Sequence, residues 1–254
     1  MKIVRVDTEV DDIVYGAVDP EGIRLYRGSP FIAWEPTETI VPWQQARLLA
    51  PVIPTKIIAL ARNYEDHAEE LGNEVPSTPL IFMKPPTSVI GPLQAIRLPA
   101  LSDDVQHEAE LAVVIGKVAR NIPIEDTGGV ILGYTAANDV TARDLRRIDG
   151  AWTRAKGFDT FCPLGPAIDT DLDPLEGLSI VCRVNGDVRQ AGSTADLVFG
   201  VGEIVSFVSS VMTLLPGDVI LTGTPAGVGR IEDGDRVEVE IEGIGVLMNP
   251  VVAP

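Results

Sequence analysis

VQHEAELAVVIG (residues 105–116) and GYTAANDVTARD (residues 133–144) bracket a strand-like pattern that carries carboxylates and runs up against a second apolar segment. In the first of these, Ala109, Leu111, Val113 and Ile115 recur at every second residue, the period that places side chains on one face of a strand. Glu108 and Glu110 fall together on the other face. Two carboxylates held that close repel unless a proton or a cation lies between them, and Asp139, at the end of the second apolar run, can supply a third oxygen ligand. The pattern therefore points to a divalent-metal site. A set of carboxylates suits a hard ion such as Mg2+ or Mn2+ better than zinc, which prefers Cys and His. The same E-x-E spacing also fits a solvated polar face, and at this level both readings stand.

Working outward, the 254 residues suffice for one large domain, or one domain with a small appendage, and for a sizeable core. Hydrophobic residues make up 45% of the chain without low-complexity stretches, so the chain is expected to be globular. No apolar run reaches the roughly 18 residues of a membrane span. The opening MKIVRVDTEVDD turns acidic where a secretory signal would need an apolar core, which predicts a cytoplasmic protein without a membrane partner. Cys162 and Cys182 are too few for a disulfide framework and are expected to be reduced core residues. A net charge of -17 repels polyanions, arguing against nucleic acid. It also requires that any anionic substrate be held by local cations.

Residues 1–50 read as short strands and turns, with IVYGAVD and IRLYRG separated by Pro20, Glu21 and Gly22, and form a small β appendage. After a proline-bounded linker at Pro51–Pro54, KIIALA is a buried strand leading into RNYEDHAEELGNE, a short helix stopped by Gly72 and Asn73. On that helix His67 and Glu70 are three residues apart, so the carboxylate can orient the imidazole, although such pairs are also common surface contacts. STPLIFMKPP is a strand whose prolines exclude it from a sheet centre. Lys84 at its end is expected to face water. Arg143, Arg146, Arg147, Arg154 and Lys156 form a cationic cluster in an acidic chain, suited to a small dianion.

Further on, Ile204, Val205, Val208, Val211, Met212 and Leu215 keep helical spacing up to Pro216 and Gly217. DVILTGTPAGVG runs as a strand into a glycine-rich turn presenting Thr222 and Thr224; without a Gly-Lys-Ser/Thr sequence and a following helix it is no phosphate loop. The tail GDRVEVEIEGIGVLMNPVV reads as one alternating strand.

With RNYEDHAEE (62–70), PLIFMKP (79–85), HEAELAVVIG (107–116), GYTAANDVTARD (133–144), AKGFDTFCPLGP (155–166) and LLPGDVILTGTPAGVG (214–229) in this order, the chain from about residue 51 onward resembles the fumarylacetoacetate hydrolase family, particularly its smaller bacterial branch. The resemblance implies a mainly β (α+β) fold with a few helices: a rolled mixed β-sandwich catalytic domain over 51–254 behind the appendage of 1–50. It implies metal ligands at Glu108, Glu110 and Asp139, a water-activating pair at His67 and Glu70 assisted by Lys156, and substrate contacts from Arg62, Arg143, Arg146 and Thr224. It further implies a homodimer and a lid helix over residues 64–77. Ala61 stands where the family usually has glycine, and Arg146 where many members have glutamine.

The chemistry that fits these residues is cleavage of a 2,4-dioxo acid. A divalent ion chelated by the carboxylate and 2-oxo oxygens stabilises the enolate that appears when a bond to C3 breaks, and His67 activates the water that attacks C4. The alternatives on the same site are oxaloacetate decarboxylation and double-bond isomerisation in a hydroxymuconate-type diacid. A non-catalytic metal-binding scaffold would need the glutamates but not an oriented base.

Overall fold

The structure, a computed structural model, describes residues 1–8 and 13–253. The strand Ala109–Ile115 lies inside a 12-stranded mixed sheet, antiparallel to Ile131–Asn138 on one side and to Val219–Leu221 on the other. Every residue of this strand is buried, whereas an alternating strand usually has one wet face. The reason is cover on both sides. Leu111, Val113 and Ile115 pack with Ile180, Cys182, Val237, Val239 and Ile241 of a second, five-stranded sheet, giving the two sheets one shared core. Ala112 and Val114 pack into a separate cluster with Val52, Ala59, Phe82 and Leu221.

Val219–Leu221 runs parallel to Ile57–Ala61, which in turn pairs antiparallel with Leu80–Lys84 at the edge of the sheet. At that edge Pro85 and Pro86 remove backbone donors without breaking a ladder. From the opposite edge the N-terminal strands Lys2–Thr8, Val14–Asp19, Gly22–Ser29 and Ala33–Val41 extend the same sheet as an antiparallel meander. The first of them pairs with Cys162–Asp169, setting Ile3 opposite Ile168. Val4, Val6, Ile23, Leu25, Val41 and Ala167 form a small apolar cluster of their own.

Among the described residues four α-helices punctuate this β structure: α1 Glu65–Glu70, α2 Arg143–Asp149, α3 Thr153–Lys156 and α4 Val201–Val211. Helix α4 is shorter than the apolar spacing predicts. Met212 is already extended, and Leu214 exchanges backbone hydrogen bonds with Ala119, so past Val211 it is Leu214 that is buried, by a bridge instead of a further helical turn, while Leu215 is exposed. The tail also departs from expectation. It is a hairpin of Arg236–Ile241 and Gly245–Val252, turned at Gly243 (φ +80°), a left-handed position that suits glycine.

Cys162 and Cys182 are buried free thiols, and burial pushes both up to about 12, which keeps them unreactive. Among the described residues no helix is long and apolar enough to cross a membrane.

Candidate metal centre

Glu108 sits between the strands Val105–His107 and Ala109–Ile115, and Asp139 follows directly on Ile131–Asn138. Strand register brings them together. Ala109 lies opposite Asn138, the Asp139 N–H donates to the Glu108 carbonyl (2.8 Å), and the Asn138 side-chain oxygen accepts from the Glu108 N–H (2.9 Å). One carboxylate oxygen each from Glu108, Glu110 and Asp139 lies within 4.8 Å of the others, and all three residues are buried. The E-x-E is therefore not a solvated face.

Burying three carboxylates is unfavourable unless cations or protons accompany them. Lys84 Nζ donates to Asp139 Oδ1 (2.5 Å) and the Val140 carbonyl (3.3 Å), Lys156 bridges Asp139 and Glu108, and Arg143 pairs with the other Glu108 oxygen. Lys84, expected to face water, is 1% exposed. The edge strand that carries it is covered by α3, so a position that looks open in sequence is closed by a later segment. Burial raises the Glu108 carboxyl, but Lys156 and Arg143 outweigh it and hold that group well below the usual carboxylate range. Glu110 is the reverse. Burial, then Asp139 and Glu108, push it well above the usual range, and its hydrogen-bonding partner is the Gly223 N–H (2.7 Å). Neither lysine reaches Glu110 among the described ion pairs. The cluster thus lacks a positive charge at Glu110, and its all-carboxylate donor set fits a hard divalent cation.

The cluster forms one wall of a cavity of about 410 Å3 lined also by His67, Arg62, Arg146, Arg147, Trp152 and Thr224. His67 is 6% exposed; its Nδ1 lies 3.2 Å from Glu70 Oε2, and the other Glu70 oxygen accepts from the Gly227 N–H (3.0 Å). With Nδ1 donating to Glu70, Nε2 is the ring nitrogen left for chemistry in the cavity. Arg62 adopts φ +59°, an uncommon conformation for a residue with a side chain and one that concentrates at functional sites. The Arg146 guanidinium lies 4.5 Å from the centroid of Trp152, which stacks on Phe82. Burial, followed by the charges of Arg62 and Arg143, holds Arg146 below its usual range.

The structure brings His67, Lys156, Arg62, Arg143, Arg146, Thr224, Glu108 and Glu110 to this one cavity, with Asp139 completing the carboxylate cluster beside it. Of the cationic cluster, Arg147 pairs with Asp104 (2.9 Å), while Arg154 pairs with Asp149 away from the cavity. Among the described residues, Arg62 and Arg146 have no carboxylate partner. His107 is fully buried, with Nδ1 on Gln190, and takes no part in the cavity. Sequence reasoning missed the role of Lys84 in the carboxylate cluster. It also passed over Asn63, whose side chain bonds Phe199 on both sides and the Thr222 carbonyl, tying the start of α1 to the end of Val219–Leu221.

A family model described as fumarylacetoacetate (FAA) hydrolase C-terminal matches residues 56–252, and one described as Rv2993c-like, N-terminal, matches residues 1–51. The chain is 53% identical to protein Rv2993c of Mycobacterium tuberculosis over 99% of its own length and 98% of the relative's. It is 44% identical to the mitochondrial oxaloacetate tautomerase Fahd2a of Rattus norvegicus, over 84% of this chain and 72% of that one. A crystal structure of a 5-carboxymethyl-2-hydroxymuconate delta-isomerase from Mycobacterium smegmatis superposes with a TM-score of 0.94 at 47% identity, covering all of both chains.

Proposed function

The chain belongs to the fumarylacetoacetate hydrolase family, and from that membership we propose that it is an enzyme moving a proton at C3 of a small 2-oxo dicarboxylic acid, such as oxaloacetate or a hydroxymuconate-type diacid, with Mg2+ or Mn2+ held by Glu108, Glu110 and Asp139. The observation that carries the substrate class is the pair of guanidiniums, Arg62 and Arg146, that line the cavity in an acidic chain and have no carboxylate partner among the described residues. Unpaired arginines beside a pocket are matched by a ligand carboxylate, and since Glu108 is already paired with Arg143 and Lys156 these two remain for the substrate's far end. The relatives named as an oxaloacetate tautomerase and a 5-carboxymethyl-2-hydroxymuconate delta-isomerase both act, by name, on acids with more than one carboxylate.

When bound, the cation supplies positive charge that stabilises an enolate. The chain's own residues do the rest. His67 takes a proton from C3 on Nε2 and returns one, its ring fixed by Glu70, and Glu70 is itself fixed by the Gly227 N–H. Lys156 pairs with both Glu108 and Asp139 and keeps the two carboxylates aligned. Arg62 and Arg146 hold the distal carboxylate, with Trp152 supporting Arg146.

Hydrolysis of a 2,4-dioxo acid is the second reading. The observation favouring it is the same His67–Glu70 pair, in which the buried imidazole can equally take a proton from water.

A substrate panel separates the two. With Mg2+ or Mn2+ we expect fast keto–enol interconversion of oxaloacetate or isomerisation of the muconate-type diacid, slow pyruvate release, and a KM for diacids that rises roughly tenfold or more in Arg146→Gln, the worth of a charge-assisted hydrogen bond. Turnover confined to cleavage of monoanionic acylpyruvates, indifferent to Arg146→Gln, would reverse the order of the two readings.

A further inference from the structure

Gln190 lies on the strand Asp187–Ser193, is 1% exposed, and spends all four hydrogen-bonding capacities of its amide. Its Oε1 is 3.0 Å from the Ala109 N–H and 3.0 Å from His107 Nδ1; its Nε2 is 2.8 Å from the Pro225 carbonyl and 2.7 Å from Thr224 Oγ1. The orientation of this amide is not free. A backbone N–H only donates and a backbone carbonyl only accepts, so flipping the amide would leave both buried backbone groups without partners. Nε2 therefore donates to Thr224. The Thr224 hydroxyl is also 2.8 Å from the Ala109 carbonyl, where it has to be the donor. A hydroxyl has one proton and two lone pairs. The proton goes to Ala109, one lone pair accepts from Gln190, and one lone pair remains.

Because Thr224 lines the cavity, that lone pair is what it offers a ligand. We propose that Gln190 is a positioning residue that fixes the direction of the Thr224 hydroxyl, so that the cavity selects a ligand carrying a hydrogen-bond donor there, the hydroxyl of an enol or a 2-hydroxy acid. Holding a developing oxyanion then falls to Lys156, since Thr224, implied by the resemblance to contact substrate, has no proton to give without breaking a buried bond. The class of ligand rests on the dicarboxylate reading above; the direction of the hydroxyl does not.

Binding to the Mg2+-loaded protein tests this without turnover, using succinate, the two enantiomers of malate, and oxalate. Malate adds one hydroxyl to succinate, and oxalate has no donor. The wild type is expected to prefer one malate enantiomer over succinate by about three- to tenfold, the worth of one neutral hydrogen bond. Thr224→Val removes that preference and leaves oxalate affinity unchanged, Thr224→Ser restores it, and Gln190→Met, which gives up the fixing bond, narrows it. If Gln190→Met does not fold, the two Thr224 variants still decide. Oxalate weakened in Thr224→Val as much as malate would mean that the hydroxyl donates, and would overturn the assignment. Failure of succinate, malate and oxalate alike to bind would remove the dicarboxylate reading and this assignment with it.

Discussion

At Glu110 burial and two neighbouring carboxylates act in the same direction, and the lysines that relieve Glu108 and Asp139 do not reach it. A divalent cation relieves that conflict, and so does removal of the charge. In Glu110→Gln we expect the metal-free protein to melt at or above the wild-type temperature, because a repulsive contact is gone. We also expect the rise in melting temperature that Mn2+ gives the wild type to vanish, because ligand-linked stabilisation requires the site. An undiminished Mn2+ shift in the variant would place the metal elsewhere. The Glu108–Glu110 spacing and the position of Asp139 were legible in the sequence because strand periodicity and the end of an apolar run are local signals. Lys84 was not. Its Pro-Pro flank correctly marks a sheet edge, yet what covers that edge is α3, some 70 residues later, and nothing local announces it. The left-handed backbone of Arg62 was equally invisible, since arginine carries no preference for it.

Helix α1 spans six residues, too few to persist by its own propensity, and is held by contacts at its polar face: Asp66 accepts from the Ala226 N–H (3.3 Å) and Glu70 from the Gly227 N–H (3.0 Å). Glu70 therefore both orients His67 and ties the helix to the turn that follows Thr224. Loss of those two bonds would free the segment 64–77 to open. Its amides should exchange faster than those of Ile57–Ala61 in the metal-loaded protein and slow on addition of oxalate. Equal exchange with and without oxalate would mean that the segment does not respond to ligand. This helix was readable from its stop at Gly72 and Asn73. The ends of α4 and of the tail strand were not, because periodicity reports which side is buried and not which backbone partner buries it. At Leu214 that partner is Ala119, and in the tail it is the returning strand Gly245–Val252.

On the scale of the whole molecule, a chain of net charge -17 gathers Lys84, Lys156, Arg62, Arg143 and Arg146 around one carboxylate cluster, so attraction for an anion is local to the cavity. The first 50 residues stand further off. We propose them as a separate unit whose first strand protects the edge of Cys162–Asp169. Deleting residues 1–50 uncovers that edge and Ile168, and is expected to give an aggregating or markedly less stable protein; a soluble fragment with wild-type stability would contradict this. That the chain is mostly β, with few helices, was what the resemblance carried by its ordered motifs implied; that the N-terminal strands join the main sheet was not legible, because the pairing of Ile3 with Ile168 links residues too distant for any local pattern.

An enolate with C3 as its carbon is the common element of tautomerisation, decarboxylation and hydrolysis at this cavity, and the proton transfer at C3 that the proposed tautomerisation requires can be watched directly by proton NMR as loss of the C3 protons of oxaloacetate or a related 2-oxo diacid in D2O, measured against the same solution without protein. We expect washout to be accelerated by the protein with Mg2+, to return to background in excess EDTA and in Glu110→Gln, and to fall by a factor on the order of 10²–10⁴ in His67→Ala, the usual worth of a positioned general base. Retention of the C3 protons at the background rate by a protein that binds Mg2+ and the diacid would contradict the proposed proton transfer at C3 beside Glu108, Glu110 and Asp139.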